Sequence, residues 1–516
     1  MKKFILPQAE PKPLKPDIYL IDPFNRNPIF SVKNKPSNDK NIYVRTWKEA
    51  FAICGKVSIS EISPEYISHM ITFKNSSQIS PYKNIKRIQK GSLFINTEKG
   101  DHKIYSYKPF NFGANQISSE KLSFFLKNRL LQNIEESIEK NKGNICCEHS
   151  SGLDSNSILG AISFSKNIDN ENLYTWSFEG QGEKNYIEEF RRFYKLNLNN
   201  CLKSPTIFSK ETLINLYKDN IKILGYPQQI GGNTIGADII SKKNCKILFS
   251  GFGGDQGISH NGLNIANNLL FNFKLTKLVD FEDGLRNAFR NNLGRVYSKI
   301  FPYWLNQKML AKEKYKFKNN PLLNFLTEEG LRLFEPYFKL EEEVENNPYL
   351  NIKDSIEKRL TAEWISVRVE EESLIAKNYG IKKYFPLLDE LSIGTILNQN
   401  PEYFAENHNQ GRLIHRKAFK DFLHPLLVEN PSKFRTQEEN WEMNLILSEK
   451  RIFNYQLEEV KDLHEYLYKL WDIEKLIDYF NEVLETTTKN NFKFFISKRA
   501  LSVLIILNYW FKFLED

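Results

Sequence analysis

The chain has 516 residues, 41% of them hydrophobic and 13% aromatic, enough for about two or three domains with sizeable cores. Its 72 basic and 63 acidic side chains leave a net charge of +9, spread along the chain. No dense basic stripe with interleaved aromatics occurs, which excludes a nucleic-acid footprint and suits an anionic substrate or nucleotide. Five cysteines (Cys54, Cys146, Cys147, Cys201 and Cys245) are odd in number and lack zinc spacing, so reduced thiols in a cytoplasm are expected.

The first residues, Met1-Lys2-Lys3-Phe4, begin no apolar run of signal-peptide length. Residues 1–45 are rich in Pro, Lys and Asn, and Ile18 to Ile21 reads as one of several edge strands. Ser63 to His69 predicts a short helix, capped by Ser63 with Pro64 in its first turn. Ser92–Ile95 and Lys103–Tyr105 predict a hairpin around Glu98-Lys99-Gly100-Asp101. The polar stretch Asn111 to Gln116 marks a boundary between residues 1–113 and 118–516. A strong helix begins at Ser118, with Leu122, Phe125, Leu126, Leu130, Ile134 and Ile138 on one face, and stops near Lys142-Gly143.

From there strands and helices alternate. Strands are expected before Glu148, over Leu173–Phe178 and over Lys246–Phe249, with helices around Ile187–Tyr194 and Glu211–Leu224. That alternation predicts an α/β fold with a doubly wound parallel sheet. Beyond about residue 265 the pattern is mostly helical. The apolar run Ala500 to Phe513 is too short for a bilayer and carries Asn508 and Lys512, so a buried core helix is expected.

Two stretches carry chemistry. In the first, a strand breaks at His149-Ser150-Ser151-Gly152-Leu153-Asp154-Ser155 and opens a helix. A helix start presents unpaired N–H groups and the positive end of its dipole, so an anion belongs there. Ser150, Ser151 and Ser155 add donors without bulk. Asp154 would repel a phosphate unless a cation stands between, which points to magnesium. The chain has no G-x-x-x-x-G-K-[ST] loop. In the second, the strand Lys246–Phe249 runs into Ser250-Gly251-Phe252-Gly253-Gly254-Asp255-Gln256-Gly257. Ligands of open α/β sheets bind at carboxyl strand ends, so Asp154 and Asp255 are expected to face one site.

Ser150 to Ser155 resembles the pyrophosphate loop S-G-G-L-D-S of the asparagine synthetase superfamily, and Ser250 to Gln256 resembles its S-G-x-G-S/G-D-E loop. Asn378 to Asp389 is similar to the segment ending R-x-P-F-L-D. Arg412 to Phe419, with Pro425 and Lys433, is similar to the closing K-x-x-L-R-x-A…P…K region. The resemblance covers roughly residues 118–516. It implies an ATP-pyrophosphatase synthetase domain of PP-loop type that adenylates a carboxylate with ATP, releases pyrophosphate and lets an amine attack. By the same resemblance Ser150, Ser151, Gly152, Asp154 and Ser155 would hold the phosphates, and Ser250 and Gly251 would line the nucleotide pocket. Asp154 and Asp255 would hold Mg2+, and Lys433 would be the catalytic lysine.

Departures narrow the expectation. Glutamine-dependent relatives carry a nucleophilic cysteine after the initiator Met; here Lys2 stands there, and Cys54 lies in an apolar stretch. Residues 1–113 therefore resemble a degenerate N-terminal-nucleophile (glutaminase-like) α+β domain. Phe252 stands where asparagine synthetases have glutamate and β-lactam synthetases have tyrosine, and it has no titratable group. Gln256, Lys382 and Tyr384 also depart from the pattern. A synthetase domain without a glutaminase resembles the lasso-peptide cyclases, which close a macrolactam on a precursor peptide processed by a leader protease. The alternatives are an ammonia- or amine-dependent amidotransferase of the same superfamily and a non-catalytic ATP-binding scaffold. The proton acceptor for the amine is open among Glu188, Glu189, His149 and His260.

Overall fold

The computed structural model describes residues 14–15, 17–33, 41–55, 57–74, 76–97, 102–106, 110, 115–165, 170–177, 183–204, 209–229, 234–262, 265, 269, 318–338, 352–405, 411–429, 441–486 and 492–515. It is a mixed α/β structure with a five-stranded parallel sheet.

Among the described residues the N-terminal segment supplies six short strands: β1 (Asp17–Ile21), β2 (Phe30–Lys33), β3 (Asn41–Val44), β4 (Ile85–Arg87), β5 (Ser92–Asn96) and β6 (His102–Ser106). They form two antiparallel three-stranded sheets, β1-β5-β6 and β3-β2-β4. The expected hairpin is β5–β6, with Leu93 opposite Tyr105. Two helices accompany the sheets, α1 (Trp47–Cys54) and α2 (Pro64–Ile71). As expected, the Ser63 hydroxyl caps α2 by accepting from the Tyr66 N–H, and Pro64 occupies the first turn, where its missing N–H is harmless.

The central sheet follows α3 (Ser119–Glu139), which Ser118 caps. Its chain order is β7 (Asn144–Glu148), α4 (Leu153–Phe164), β8 (Leu173–Ser177), α5 (Lys184–Phe193), β9 (Cys201–Lys203), α6 (Lys210–Leu224), α7 (Thr234–Ser241), β10 (Cys245–Phe249) and, much later, β11 (Lys382–Tyr384). The spatial order is β11-β10-β7-β8-β9, with every pairing parallel. The chain therefore winds outward from β7 through β8 to β9, then crosses back to the other side of β7. The switch of direction lies between β7 and β10, where the carboxyl strand ends open a crevice in such folds. The edge strands β9 and β11 have three residues each, too few for periodicity to reveal.

The N-terminal sheets share their core with the last helix. Trp47, Tyr66, Tyr82 and Trp510 are buried in one cluster, and the Trp510 indole N–H donates to the Tyr82 hydroxyl at 2.8 Å. Arg87 of β4 reaches across to Glu370 of the helix Glu363–Asn378 at 3.0 Å, both side chains nearly inaccessible. The helix Phe492–Glu515 is longer than the run Ala500–Phe513 suggested, because Phe494 and Ile496 extend its buried side past Lys498 and Arg499. It is long and apolar enough to cross a membrane, but 72% of its apolar window is buried inside the protein. Asn508 is buried there, accepting from the His464 N–H at 2.7 Å.

Candidate functional site

β7 is buried through Ile145, Cys146 and Cys147, and its chain breaks after Glu148. Asn156, one turn into α4, holds the break tight: its amide donates to the carbonyls of Ser150 and Gly152, both at 2.8 Å. Ser155 Oγ accepts the Ser150 N–H at 3.2 Å and lies 2.9 Å from Ser150 Oγ, which accepts the Gly152 N–H at 3.1 Å. The hydroxyls of Ser150 and Ser155 thus tie the loop to itself. The Ser151 N–H donates to Glu183 at 3.1 Å. Gly152 is the N-cap of α4 and supplies no side-chain cap, so the first-turn amides keep their anion-attracting character.

The loop after β10 lies directly on this helix start. A Cβ on Gly251 would stand 2.8 Å from the Ser155 nitrogen, and one on Gly254 would stand 2.4 Å from Cγ of Asp154. Gly253 takes φ +95°, and a side chain there would meet Leu388. Gly251 and Gly254 let the loop after β10 lie against the backbone and the Asp154 side chain at the start of α4, while Gly253 makes room for Leu388. The Ser250 N–H is used in the sheet, donating to the Tyr384 carbonyl at 2.9 Å.

A third element joins the two carboxylates. Arg412, in the left-handed region at φ +65°, begins the short helix Leu413–Phe419 and places its guanidinium 2.6 Å from Asp255 Oδ1. Three residues on, His415 Nδ1 lies 3.9 Å from Asp154 Oδ1, and Nε2 is 3.2 Å from Ser157 Oγ. Burial, with Arg412 and Arg416 nearby, pushes the His415 imidazole well below its usual range, so it is neutral. Among the described residues no group of three His, Cys, Asp or Glu side chains could hold a metal ion. Asp154 and Asp255 offer oxygen donors only, a set that fits a hard cation completed by water and phosphate oxygens. Arg412 competes for one of those oxygens.

A second, mostly buried network closes around the ends of β7, β10 and β11. Glu148 accepts from Ser250 Oγ and from Lys383 Nζ, the latter at 2.5 Å. Lys383 also lies 2.8 Å from Glu372, and Glu372 accepts from Arg368 Nε at 2.7 Å. The Arg368 guanidinium stacks 4.1 Å over the Phe252 ring, and the Phe252 N–H donates back to Ser250 Oγ at 3.3 Å. Burial works against the Lys383 charge, but Glu148 and Glu372 outweigh it and hold the ammonium above its usual range. Burial likewise opposes the Glu372 charge, and Lys383 and Arg368 keep that carboxyl below its usual range.

The structure brings together Ser150, Ser151, Gly152, Asp154, Ser155, Ser250, Gly251 and Asp255. Lys433 lies outside the described residues. Of the candidate proton acceptors, His260 is buried with both ring nitrogens engaged, by the Gly262 N–H at 3.1 Å and Ser355 Oγ at 3.2 Å. Burial, with Arg359 and Arg412 adding repulsion, lowers its pKa to about 3. His149 is buried against Asn156 at 3.2 Å, and Glu189 is exposed beside His424. Asp389 caps the helix Glu390–Leu397 and pairs with Arg129 at 2.9 Å. Cys54 packs against the core, and all five cysteines are free thiols. Sequence reasoning passed over Glu148, Arg368, Glu372, Lys383 and Arg412. The available signals were Glu148, a carboxylate ending an otherwise apolar strand, and the motif segments Asn378–Asp389 and Arg412–Phe419, which contain Lys383 and Arg412.

Fold and site together define an α/β protein with two touching glycine loops, each bearing a carboxylate, at the switch point of a parallel sheet. No model of a known protein family matches the chain, and no curated protein matches it.

Proposed function

We propose that this chain is an ATP-dependent carbon–nitrogen ligase that activates a carboxylate as its adenylate, with release of pyrophosphate, and passes the acyl group to an amine. The observation that carries this reading is the contact between the two loops. Gly254 leaves room for the Asp154 carboxylate against the loop that bears Asp255, at the mouth of a bare helix start and at the switch point. A polyphosphate at α4 would lie on the first-turn amides. Magnesium, held by Asp154 and Asp255, would supply charge neutralisation between the carboxylates and the phosphates.

The asparagine synthetase-like motifs support a PP-loop synthetase assignment for residues 118–516 and a degenerate glutaminase-like assignment for residues 1–113. Within that superfamily, Phe252, which offers no titratable group, favours a lasso-peptide-type macrolactam cyclase. Its substrate would be a carboxylate-bearing precursor peptide, in a cytoplasm that also holds the leader protease. Lys433 would neutralise charge growing on the α-phosphate and the attacked carbon.

The test is ATP–pyrophosphate exchange driven by a panel of carboxylates, from free aspartate to peptides bearing Asp or Glu. We expect exchange that needs magnesium and falls at least about a hundredfold in Asp154→Asn and in Asp255→Asn. Lys433→Ala should slow turnover with folding intact. Exchange with free aspartate and ammonium, but with no peptide, would select the amidotransferase alternative. ATP binding with no exchange for any carboxylate would leave a scaffold.

A further inference from the structure

The ligase reading lacks a group to take the proton of the attacking amine, and Phe252 cannot serve. The ring of contacts around the strand ends offers one. Its members are Ser250, Glu148, Lys383, Glu372, Arg368 and Phe252, each touching the next. Lys383 and Glu372 are buried, with side chains 7% and 9% exposed, whereas Glu148 is 23% exposed. Arg368, 38% exposed, is the other member open to solvent, but of the carboxylates in the ring Glu148 is the more exposed, and it stands at the carboxyl end of β7, two residues before the phosphate-loop serine Ser150.

We propose that Glu148 is the proton acceptor for the amine, with Lys383, Glu372 and Arg368 as positioning residues. The assignment rests on the ligase reading above. An ammonium approaching Glu148 meets its carboxylate and, just behind it, the Lys383 charge at 2.5 Å from Oε1. The carboxylate attracts the ammonium, and the like charge of Lys383 favours its neutral form. One proton passes from the ammonium to Glu148. The nitrogen lone pair then attacks the acyl carbon, the C–N bond forms, and the C–O bond to the phosphate of AMP breaks, with AMP leaving with that electron pair. The second nitrogen proton goes to water. Ser250 Oγ and Lys383 fix the carboxylate's orientation, while Glu372, braced by Arg368 on the Phe252 ring, holds Lys383 in place.

The experiment uses the full chain, ATP, magnesium and the Asp- or Glu-bearing peptide that supports exchange, with two acceptors in separate arms at pH 7. Glycinamide is largely protonated there and needs a base; hydroxylamine is neutral and does not. In Glu148→Gln we expect intact pyrophosphate exchange, hydroxamate formation within about twofold of the parent, and at least a hundredfold less glycinamide product, the roughly 10²–10⁴-fold range of general base catalysis. Equal losses in both arms, or none, overturn the assignment. If Glu148→Gln fails to fold, Glu372→Gln replaces it, with a loss of about tenfold expected in the glycinamide arm alone; a loss common to both arms overturns the proposal. Absence of exchange in the parent chain for every carboxylate would instead remove the ligase reading and this assignment with it.

Discussion

The α-carbon of Gly254 faces the carboxylate of Asp154 so closely that a single added methyl would stand 2.4 Å from its Cγ and 2.5 Å from Oδ1. These residues are a hundred positions apart, Asp154 in the first turn of α4 after β7 and Gly254 in the loop after the neighbouring strand β10. Gly254→Ala must push Asp154 aside, because contacts under 3.0 Å are not tolerated. Overpacking of this kind costs about 1–3 kcal/mol. We expect a modest fall in the denaturation midpoint, together with loss of pyrophosphate exchange of the order expected for Asp154→Asn. An alanine variant with full exchange would show that the two loops do not work as one site.

Lys383 is held between Glu148 and Glu372. Lys383→Met removes the cation and leaves two carboxylates facing each other with little water. Breaking a buried pair from one side costs about 3–5 kcal/mol. Urea denaturation should show a loss of that order. The double variant Glu372→Gln with Lys383→Met should recover part of it, because one of the two facing carboxylates is gone.

Arg87 and Glu370 join the N-terminal sheets to the central part of the fold. Besides Arg87, Glu370 accepts from the Asn25 amide at 2.5 Å and from the Tyr226 hydroxyl at 3.3 Å. Arg87 in turn lies 5.3 Å from the ring centroids of both Trp47 and Tyr226. Arg87→Ala should destabilise the protein by about 3–5 kcal/mol, since it strands a buried carboxylate. Replacing both charges, as Arg87→Met with Glu370→Leu, should cost clearly less than the two single changes added together. A double-mutant cycle by equilibrium unfolding measures this.

Two buried imidazoles make stability depend on pH. His260 has its pKa lowered to about 3 by burial, and His415 is also pushed well below its usual range. Both are neutral in the fold, whereas in the unfolded chain each binds a proton below about 6.5. Their stabilising contribution is therefore complete above about pH 6.5 and is lost as pH falls towards the folded values. The slope is about 1.4 kcal/mol per pH unit for each imidazole. Urea midpoints should be flat between pH 7 and 8 and drop clearly between pH 6.5 and 5. That window lies above the range where Glu372 and Asp389, both held below their usual values, begin to titrate. His260→Gln should make the slope clearly shallower, with His415 and His424, whose imidazole pKa burial also lowers, supplying the remainder.

Local features were legible where neighbours along the chain decide them. The Ser63 cap, the β5–β6 hairpin, α3 with its buried Leu122, Leu126, Leu130 and Ile134, and the strands β7, β8 and β10 all follow from caps and periodicity within a few residues. The two carboxylate loops were visible for the same reason, as glycine-rich breaks directly after apolar strands. β11 was hidden, because Lys382-Lys383-Tyr384 is polar and only three residues long. So was the ionic ring, because Glu148 and Lys383 are brought near by strand order and Glu372 by the packing of the helix Glu363–Asn378, not by spacing.

The amino-acid sequence by itself determined that this chain alternates strands and helices around two small-residue loops, since backbone capping and hydrophobic burial act locally. Only the tertiary structure decided that those loops meet, with Gly254 against Asp154, that Arg412 and His415 arrive beside the two carboxylates, and that Glu148 ends at the mouth of a buried charge network. Those relationships depend on placing β10 beside β7 and β11 beside β10. That placement is a property of how the whole sheet is wound.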